Sequence, residues 1–219
     1  MQPRRRLTLK QLSALSLAPL LPLGLGAALA STIHALPRRA LVVGNSRYTS
    51  APLPNPANDA GAIAGVLKQT GFAVDLQFDA GKTALENAIR GFATSLGTQP
   101  AVGLFYFAGH GLQMNWRNYL VPVDAALSRA EDVPQQAVDI TRLLEGLTRA
   151  KNPMNIIILD ACRDNPFNDD LRTGKGLSQM DAPLGTLLAY ATAPGNTASD
   201  VAGANGLYTE NLLREMHTP

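Results

Sequence analysis

The chain has 219 residues, a formal net charge of +2, 46% hydrophobic residues and a single cysteine. This length suits one domain with a sizeable hydrophobic core. One cysteine excludes an internal disulfide, and the chain lacks the cysteine and histidine spacing typical of a zinc site.

The first thirty residues predict an export signal rather than a part of the fold. Three consecutive arginines and Lys10 precede an apolar stretch that ends in the small residues Ala28-Leu29-Ala30. This order is typical of a secretory signal peptide, and Arg5-Arg6 resembles a twin-arginine signal. Prolines and glycines interrupt the stretch, so a membrane-spanning helix is the weaker alternative, and an uncleaved anchor stays open. We predict a signal peptide over residues 1–30, a linker over 31–38 and a folded domain over 39–219.

Removal of this signal changes the charge of the protein. Residues 1–30 contain four basic and no acidic residues, so the charge of +2 becomes −2. No basic patch remains, and the sequence therefore predicts no nucleic-acid partner. We expect an exported protein, periplasmic or extracellular, with no stable membrane span after cleavage.

From residue 40 onward, short apolar runs alternate with segments of helical periodicity. The predicted strands cover residues 40–43, 72–78, 102–108, 156–160 and 186–191. The predicted helices cover residues 58–67, 83–96, 140–147 and 207–216. The second helix is expected to open with a capping box at Thr83-Ala84-Leu85-Glu86. This alternation predicts an α/β fold of three layers with a mostly parallel central sheet.

Two segments between these elements are less regular. Residues 112–123 predict a hairpin or an extended arm, in which Trp116 and Tyr119 are expected to pack rather than to contact a ligand. Residues 163–183 predict a long polar loop. Such loops are usually solvated connections between elements.

Two chemically reactive residues follow buried strands. His110 comes after the apolar run 103–108, and Cys162 comes after the run 156–159. The carboxyl ends of parallel strands meet at one edge of a sheet, which is where ligands bind in such folds. A thiol and an imidazole at that edge predict a cysteine nucleophile with a histidine base. A buried, inert cysteine and a strand-end histidine that only forms structural hydrogen bonds are the alternatives.

Three motifs resemble the caspase-like peptidases, in particular the metacaspases and their bacterial relatives. They are Val43-Gly44-Asn45 through Asn58-Asp59-Ala60, Phe107-Ala108-Gly109-His110-Gly111, and Asp160-Ala161-Cys162-Arg163. The histidine stands 52 positions before the cysteine, close to the spacing of about 50 in caspases. The resemblance implies a caspase-like sheet of strand order 2-1-3-4-5-6. The last strand of that order is not apparent before Pro219, so we expect the chain to be truncated at its C-terminus.

The resemblance also implies a set of roles. His110 and Cys162 would form a catalytic dyad, and the amides of Gly111 and Cys162 would form the oxyanion hole. Asp59 and Asp160 would line the pocket for the residue before the scissile bond (P1), and two carboxylates there favour Arg or Lys. The alternatives are a helix N-terminal acid for Asp59 and a structural strand-end carboxylate for Asp160. Metacaspases often have serine at the position of Ala108, so one polar pocket contact is lost here.

The predicted function is thus a cysteine-type endopeptidase that acts on peptide or protein substrates. Arg172 and Lys175 in the polar loop are candidate self-processing sites. No cofactor is required for this chemistry and no metal site is predicted, while calcium dependence stays open. One rival is a catalytically silent caspase-like module that binds or regulates a partner. A second rival is another Cys-His acyl-transfer enzyme, such as a transpeptidase.

Overall fold

The computed structural model describes residues 33–162, 177–191 and 205–216. The strands are β1 Arg38–Gly44, β2 Phe72–Phe78, β3 Val102–Met114, β4 Arg117–Leu120, β5 Val138–Asp139, β6 Met154–Cys162 and β7 Thr186–Tyr190. The helices are α1 Pro56–Gln69, α2 Lys82–Thr98, α3 Val133–Gln136, α4 Thr141–Ala150 and α5 Leu207–Met216, with a 3-10 turn at Ala130–Asp132.

The central sheet is parallel and has the order β2-β1-β3-β6-β7 among the described strands. This order agrees with the first five positions expected for a caspase-like sheet. Beyond the end of β1, the sheet continues as a small antiparallel part, in which β4 pairs with both β3 and β5. The α/β prediction with a mostly parallel sheet is therefore confirmed.

Helices cover both faces of the sheet, because alternate residues of each strand point to opposite sides. Phe105 and Phe107 of β3 pack with the apolar faces of α2 and α4. Tyr106 and Ala108 face the other way, into a cluster formed with α1 and α5. The three layers follow from β3 being buried on both faces, as its continuous apolar sequence predicted.

Strand β3 is longer than the sequence predicted. It continues through Gly109 and His110 to Met114 and then turns back into β4, so residues 102–120 contain a hairpin. The turn consists of Asn115 and Trp116, both with positive φ. Tyr119 is buried, as predicted, whereas Trp116 is 84% exposed. The prediction that Trp116 packs is therefore wrong, because a two-residue hairpin turn projects away from the sheet.

The expected capping box of α2 is also wrong. The helix begins one residue earlier, with Gly81 as N-cap and no side-chain cap. Glu86 instead pairs with Arg142 of α4 at 3.0 Å. The amide of Lys82 is bound by the side chain of Asp124, which is 42 positions away, so a tertiary contact replaces the local one.

Within the three described ranges, no helix combines the length and the apolar character needed to cross a bilayer.

Candidate active site

His110 lies where β3 leaves the parallel sheet. Its neighbour Gly109 has φ +154°, and a Cβ there would lie 2.5 Å from the Tyr48 hydroxyl, so only glycine fits. The backbone N–H of His110 donates to Tyr48 Oη at 2.9 Å, and its carbonyl accepts from the Val121 N–H at 3.0 Å. The histidine is 3% exposed. A bend that requires glycine therefore places a buried imidazole at the end of the parallel ladder.

The imidazole is oriented by a backbone carbonyl. His110 Nε2 lies 2.7 Å from the carbonyl oxygen of Ala51. A carbonyl can only accept, so Nε2 carries the proton and the neutral ring has its lone pair on Nδ1. Ala51 has φ +54°, which is rare for a residue with a Cβ. The 45–55 loop thus holds an unfavourable backbone conformation where it contacts the histidine.

Tyr48 and Asn45 connect this loop to the strands beneath it. The ring of Tyr48 lies 4.4 Å from that of His110, and its hydroxyl donates to the carbonyl of Val121 at 3.1 Å. Asn45 is fully buried and accepts from the Ala80 N–H at 2.8 Å. Both residues belong to the first motif of the sequence, and the structure shows that this motif supports His110.

Asp79 holds the beginning of the same loop. Its Oδ1 accepts the amides of Ser46 and Arg47 at 2.9 and 2.8 Å, and its Oδ2 accepts from Arg47 Nε at 2.7 Å. Burial by itself would raise the pKa of Asp79, but these hydrogen bonds and the arginine charge outweigh it and lower the pKa below its usual value. The ionised carboxylate is therefore the form that orders the loop.

Cys162 is the last residue of β6 and pairs in register with His110 of β3. Its backbone belongs to the described strand, whereas its side chain lies outside the described part of the structure. Paired residues of neighbouring strands lie about 4.8 Å apart in the hydrogen-bonding direction. The two predicted dyad residues are therefore direct neighbours at one edge of the sheet, as the sequence predicted.

Gly111, the predicted oxyanion donor, follows His110 in β3 and lies opposite Leu120 of β4. The Val121 N–H donates to the His110 carbonyl, so His110 and Val121 form the hydrogen-bonded pair of this antiparallel ladder. The next pair, Gly111 and Leu120, is therefore a non-hydrogen-bonded pair, and the Gly111 N–H points away from β4 and toward β6. A Cβ at Gly111 would lie 2.9 Å from the Cβ of Ala161. The backbone of β3 thus approaches β6 closely beside Cys162.

The two predicted pocket carboxylates meet the same helix. Asp59 of α1 is 3% exposed, and its Oδ1 accepts the Gly206 N–H at 2.9 Å. Asp160 of β6 accepts from the Thr209 hydroxyl at 2.6 Å and from the Tyr106 hydroxyl at 3.2 Å. Burial, the negative charge of Asp160 and then that of Asp59 raise the pKa of Tyr106 well above its usual value. Both carboxylates therefore lie next to the same buried region, at the beginning of α5.

Several predicted features fall elsewhere. Arg172 and Lys175, the candidate self-processing residues, lie outside the described residues, as does the proposed signal peptide. Within the described ranges, no group of three or more histidine, cysteine, aspartate or glutamate side chains is arranged to hold a metal ion.

Several contributors to the site, among them Ala51, Thr209 and Tyr106, were not assigned a role from the sequence. Ala51 acts through its carbonyl, and no side chain signals this. Thr209 and Tyr106 reach Asp160 from 49 and 54 positions away. The only sequence signal for the contact between Tyr106 and Asp160 was the presence of a polar tyrosine in the otherwise apolar run 103–108.

Comparison with known proteins agrees with this geometry. Residues 37–219 match the family model described as the caspase domain, within the C14 peptidases. A 178-residue stretch is 29% identical to the human mucosa-associated lymphoid tissue lymphoma translocation protein 1, and its mouse homologue matches equally. The stretch covers 79% of this chain and 21% of each relative, so the chain spans about a fifth of their length. The sheet order and the pairing of His110 with Cys162 agree with the family match. We conclude that this chain belongs to the caspase-domain family.

Proposed function

We propose that the protein is a cysteine endopeptidase that uses His110 and Cys162 as its dyad and cleaves after Arg or Lys. The observation that carries this proposal is the register of β3 and β6, which pairs these two residues at the carboxyl edge of the sheet. The caspase-domain membership supports a protease-like fold with peptide or protein substrates.

The proposed reaction uses the proton arrangement at His110. With Nε2–H donated to Ala51, Nδ1 is the atom that takes the proton of the Cys162 thiol. The thiolate attacks the scissile carbonyl carbon, and the resulting oxyanion is bound by the amides of Gly111 and Cys162. The protonated imidazole then gives its proton to the leaving amine as the C–N bond breaks. Water hydrolyses the remaining thioester, which frees the acid and restores the thiol.

The proposed P1 preference rests on Asp59 and Asp160. Both are buried or partly buried carboxylates on the face of the sheet that carries α1 and α5. A guanidinium can pair with carboxylates through two parallel hydrogen bonds, whereas an ammonium acts as a point charge. We therefore propose that Arg is accepted at least as well as Lys, and that an acidic P1 residue is rejected by like charge.

Fluorogenic peptides that differ only in Arg, Lys or Asp at P1 test this proposal. We expect hydrolysis after Arg and Lys, and its loss in both Cys162→Ala and His110→Ala, with the thermal stability of Cys162→Ala unchanged. The rate of Cys162 alkylation by iodoacetamide at neutral pH gives a second readout. Fast alkylation without hydrolysis of any peptide would favour the silent binding module, and transfer to an added amine acceptor would favour a transpeptidase.

Three further features belong to this proposal. The chemistry requires no cofactor, and a calcium titration of the hydrolysis rate decides whether this ion activates the protein. Self-processing at Arg172 or Lys175 predicts two fragments by mass spectrometry. Export through the segment 1–30 predicts a mature N-terminus at or near Ser31.

A further inference from the structure

Three oxygen atoms form a compact buried group beneath the proposed P1 pocket. Thr209 Oγ1 lies 2.6 Å from Tyr106 Oη and 2.6 Å from Asp160 Oδ2, while Tyr106 Oη lies 3.2 Å from the same carboxylate oxygen. Tyr106 and Thr209 are both 0% exposed. Hydroxyl groups so deeply buried need hydrogen-bond partners, and these two find them in each other and in Asp160.

The number of available protons determines which oxygen of this group donates to which. An ionised carboxylate only accepts, so two hydroxyl protons must serve three oxygen–oxygen contacts. The two shortest contacts, both 2.6 Å, account for the two protons: the Tyr106 hydroxyl donates to Thr209, and the Thr209 hydroxyl donates to Asp160. Thr209 is therefore the central member of a chain of hydrogen bonds that ends on the carboxylate. Burial of Tyr106 disfavours its anionic form, which keeps its hydroxyl a donor.

The neighbouring strand β3 brings the Tyr106 hydroxyl to 3.2 Å from Asp160, a longer contact than the one that Thr209 makes. Ala108 lies beside Asp160 in the register of β3 and β6, and its methyl side chain has no hydrogen to donate. The hydroxyl that Asp160 receives at 2.6 Å comes instead from helix α5. The contact thus depends on the position of α5 rather than on the sheet alone.

The same end of α5 also contacts Asp59. The Gly206 N–H, just before the first residue of the helix, donates to Asp59 Oδ1 at 2.9 Å. A Cβ at Gly206 would lie 3.2 Å from Asp59 Oδ2, so the approach is close. The first turn of α5 and the residue before it therefore contact both Asp59 of α1 and Asp160 of β6. The positive end of the helix dipole stabilises both negative charges.

We infer that Thr209 is a positioning residue that favours binding of arginine over lysine in the proposed P1 pocket, an inference that rests on the proposed function. Its hydroxyl fixes one oxygen of Asp160, and so fixes the plane of the carboxylate. A planar guanidinium needs that plane to form two parallel hydrogen bonds, whereas an ammonium accepts many orientations. Loss of the hydroxyl should therefore weaken recognition of arginine more than recognition of lysine.

Thr209→Val is the informative variant, because valine keeps the branched shape and removes only the hydroxyl. Thr209→Ser is its matched control, since it keeps the hydroxyl and loses a methyl group. Tyr106→Phe removes the donor to Thr209 and the longer contact to Asp160, and it leaves the Thr209–Asp160 bond. The readouts are kcat/KM on Arg and Lys peptides, calorimetric binding of benzamidine, and thermal unfolding of each full-length variant.

For Thr209→Val we expect kcat/KM to fall about tenfold on Arg peptides and about twofold on Lys peptides, the size of one lost hydrogen bond to a charged group. Benzamidine, a planar amidinium, should bind about tenfold more weakly. Thr209→Ser should stay within about twofold of the wild type in both measurements. Tyr106→Phe should lower the Arg-to-Lys ratio by about threefold, because the central hydroxyl loses its own partner.

The possible outcomes separate this inference from the proposed function. If the wild type cleaves after Arg and Thr209→Val keeps the wild-type Arg-to-Lys ratio and benzamidine affinity, the inference is overturned and the peptidase proposal stands. If the wild type cleaves nothing but binds benzamidine in a Thr209-dependent way, the positioning role holds and the peptidase proposal fails. Absence of both cleavage and benzamidine binding overturns both. If Thr209→Val does not fold, an unchanged Arg-to-Lys ratio in Tyr106→Phe overturns the inference.

Discussion

The Nε2 atom of His110 lies 2.7 Å from the carbonyl oxygen of Ala51, a residue with φ +54° that is followed by a proline. This contact leaves Nδ1 as the basic atom of the ring. Proline at position 51 cannot adopt a positive φ, because its ring fixes φ near −65°. Ala51→Pro should therefore move the carbonyl and lower kcat on Arg peptides by at least about tenfold, with a smaller change in KM.

Ala51→Gly is the control for this prediction. Glycine adopts the same φ without a Cβ, so the carbonyl stays in place and activity should stay near that of the wild type. The rate of Cys162 alkylation as a function of pH gives an independent measurement. Equal pH profiles for wild type and Ala51→Pro would show that the carbonyl does not control the imidazole.

Gly111→Ala tests the close approach of β3 to β6. The added Cβ would lie 2.9 Å from Ala161 Cβ and 3.1 Å from Leu177 Cδ2, and the first of these atoms is fixed to a strand. Overpacking of this kind costs about 1–3 kcal/mol in the free energy of unfolding. We expect urea denaturation to show that loss, together with slower peptide hydrolysis, because the strands that carry His110 and Cys162 separate.

Gly91→Ala in α2 is the matched control, since its added Cβ meets nothing within 4 Å beyond the adjoining residues and backbone of its own helix. Alanine is about 0.5–1 kcal/mol better than glycine inside a helix, so this variant should be slightly more stable. A destabilised Gly91→Ala, or a Gly111→Ala as stable as the wild type, would contradict the packing argument.

Asp79 makes the stability of the 45–55 loop depend on pH. Its pKa is lowered in the folded protein from a usual value of 3.8, so the folded state binds its proton less readily than the unfolded state. The stabilisation is therefore fully present above the unfolded pKa and is lost as the pH falls through the lower folded pKa. Asp79→Asn should be less stable than the wild type from pH 7 down to about 5.

The difference between wild type and Asp79→Asn should begin to shrink below about pH 4, where the unfolded state takes up the proton, and should be smallest below the folded pKa, where the carboxyl is protonated in both states. Chemical denaturation at several pH values measures this difference. A gap in unfolding free energy that is unchanged at low pH would mean that the charge of Asp79 contributes nothing to the loop.

Trp116 occupies a position that favours glycine. It follows Asn115 in the two-residue turn between β3 and β4, has φ +63°, and is 84% exposed. Asn-Gly is the preferred pair for such turns, because both residues need positive φ. Trp116→Gly should raise the free energy of unfolding by about 0.5–1 kcal/mol and Tm by about 2 °C. Trp116→Ala keeps the strained φ and should bring no such gain.

A stability gain in Trp116→Gly with unchanged hydrolysis would assign the tryptophan no role in the reaction. Equal stability of the glycine and alanine variants would instead show that the turn backbone is not strained. Differential scanning calorimetry of the three proteins, with the peptide assay beside it, distinguishes these results.

The amino-acid sequence by itself determined the sheet and the edge at which the chemistry lies. The bounds of β2 and α5 were predicted to the residue, because period-2 and period-3.6 patterns are local properties of the chain. His110 and Cys162 were predicted to meet at one edge, since parallel strands end together. The family resemblance was likewise contained in short motifs, and the match over residues 37–219 confirms it.

Only the tertiary structure decided how the site is completed. The length of β3 depends on Gly109, whose bend lets the strand exchange one partner strand for another. The Ala51 carbonyl and the Thr209 hydroxyl reach the site from segments distant in sequence, and a backbone oxygen carries no side-chain signature. Helix patterns reveal which face of α5 is apolar, but they do not reveal which carboxylate its first turn will meet. Packing between the layers, through many weak contacts acting together, determines which carboxylate the first turn of α5 contacts.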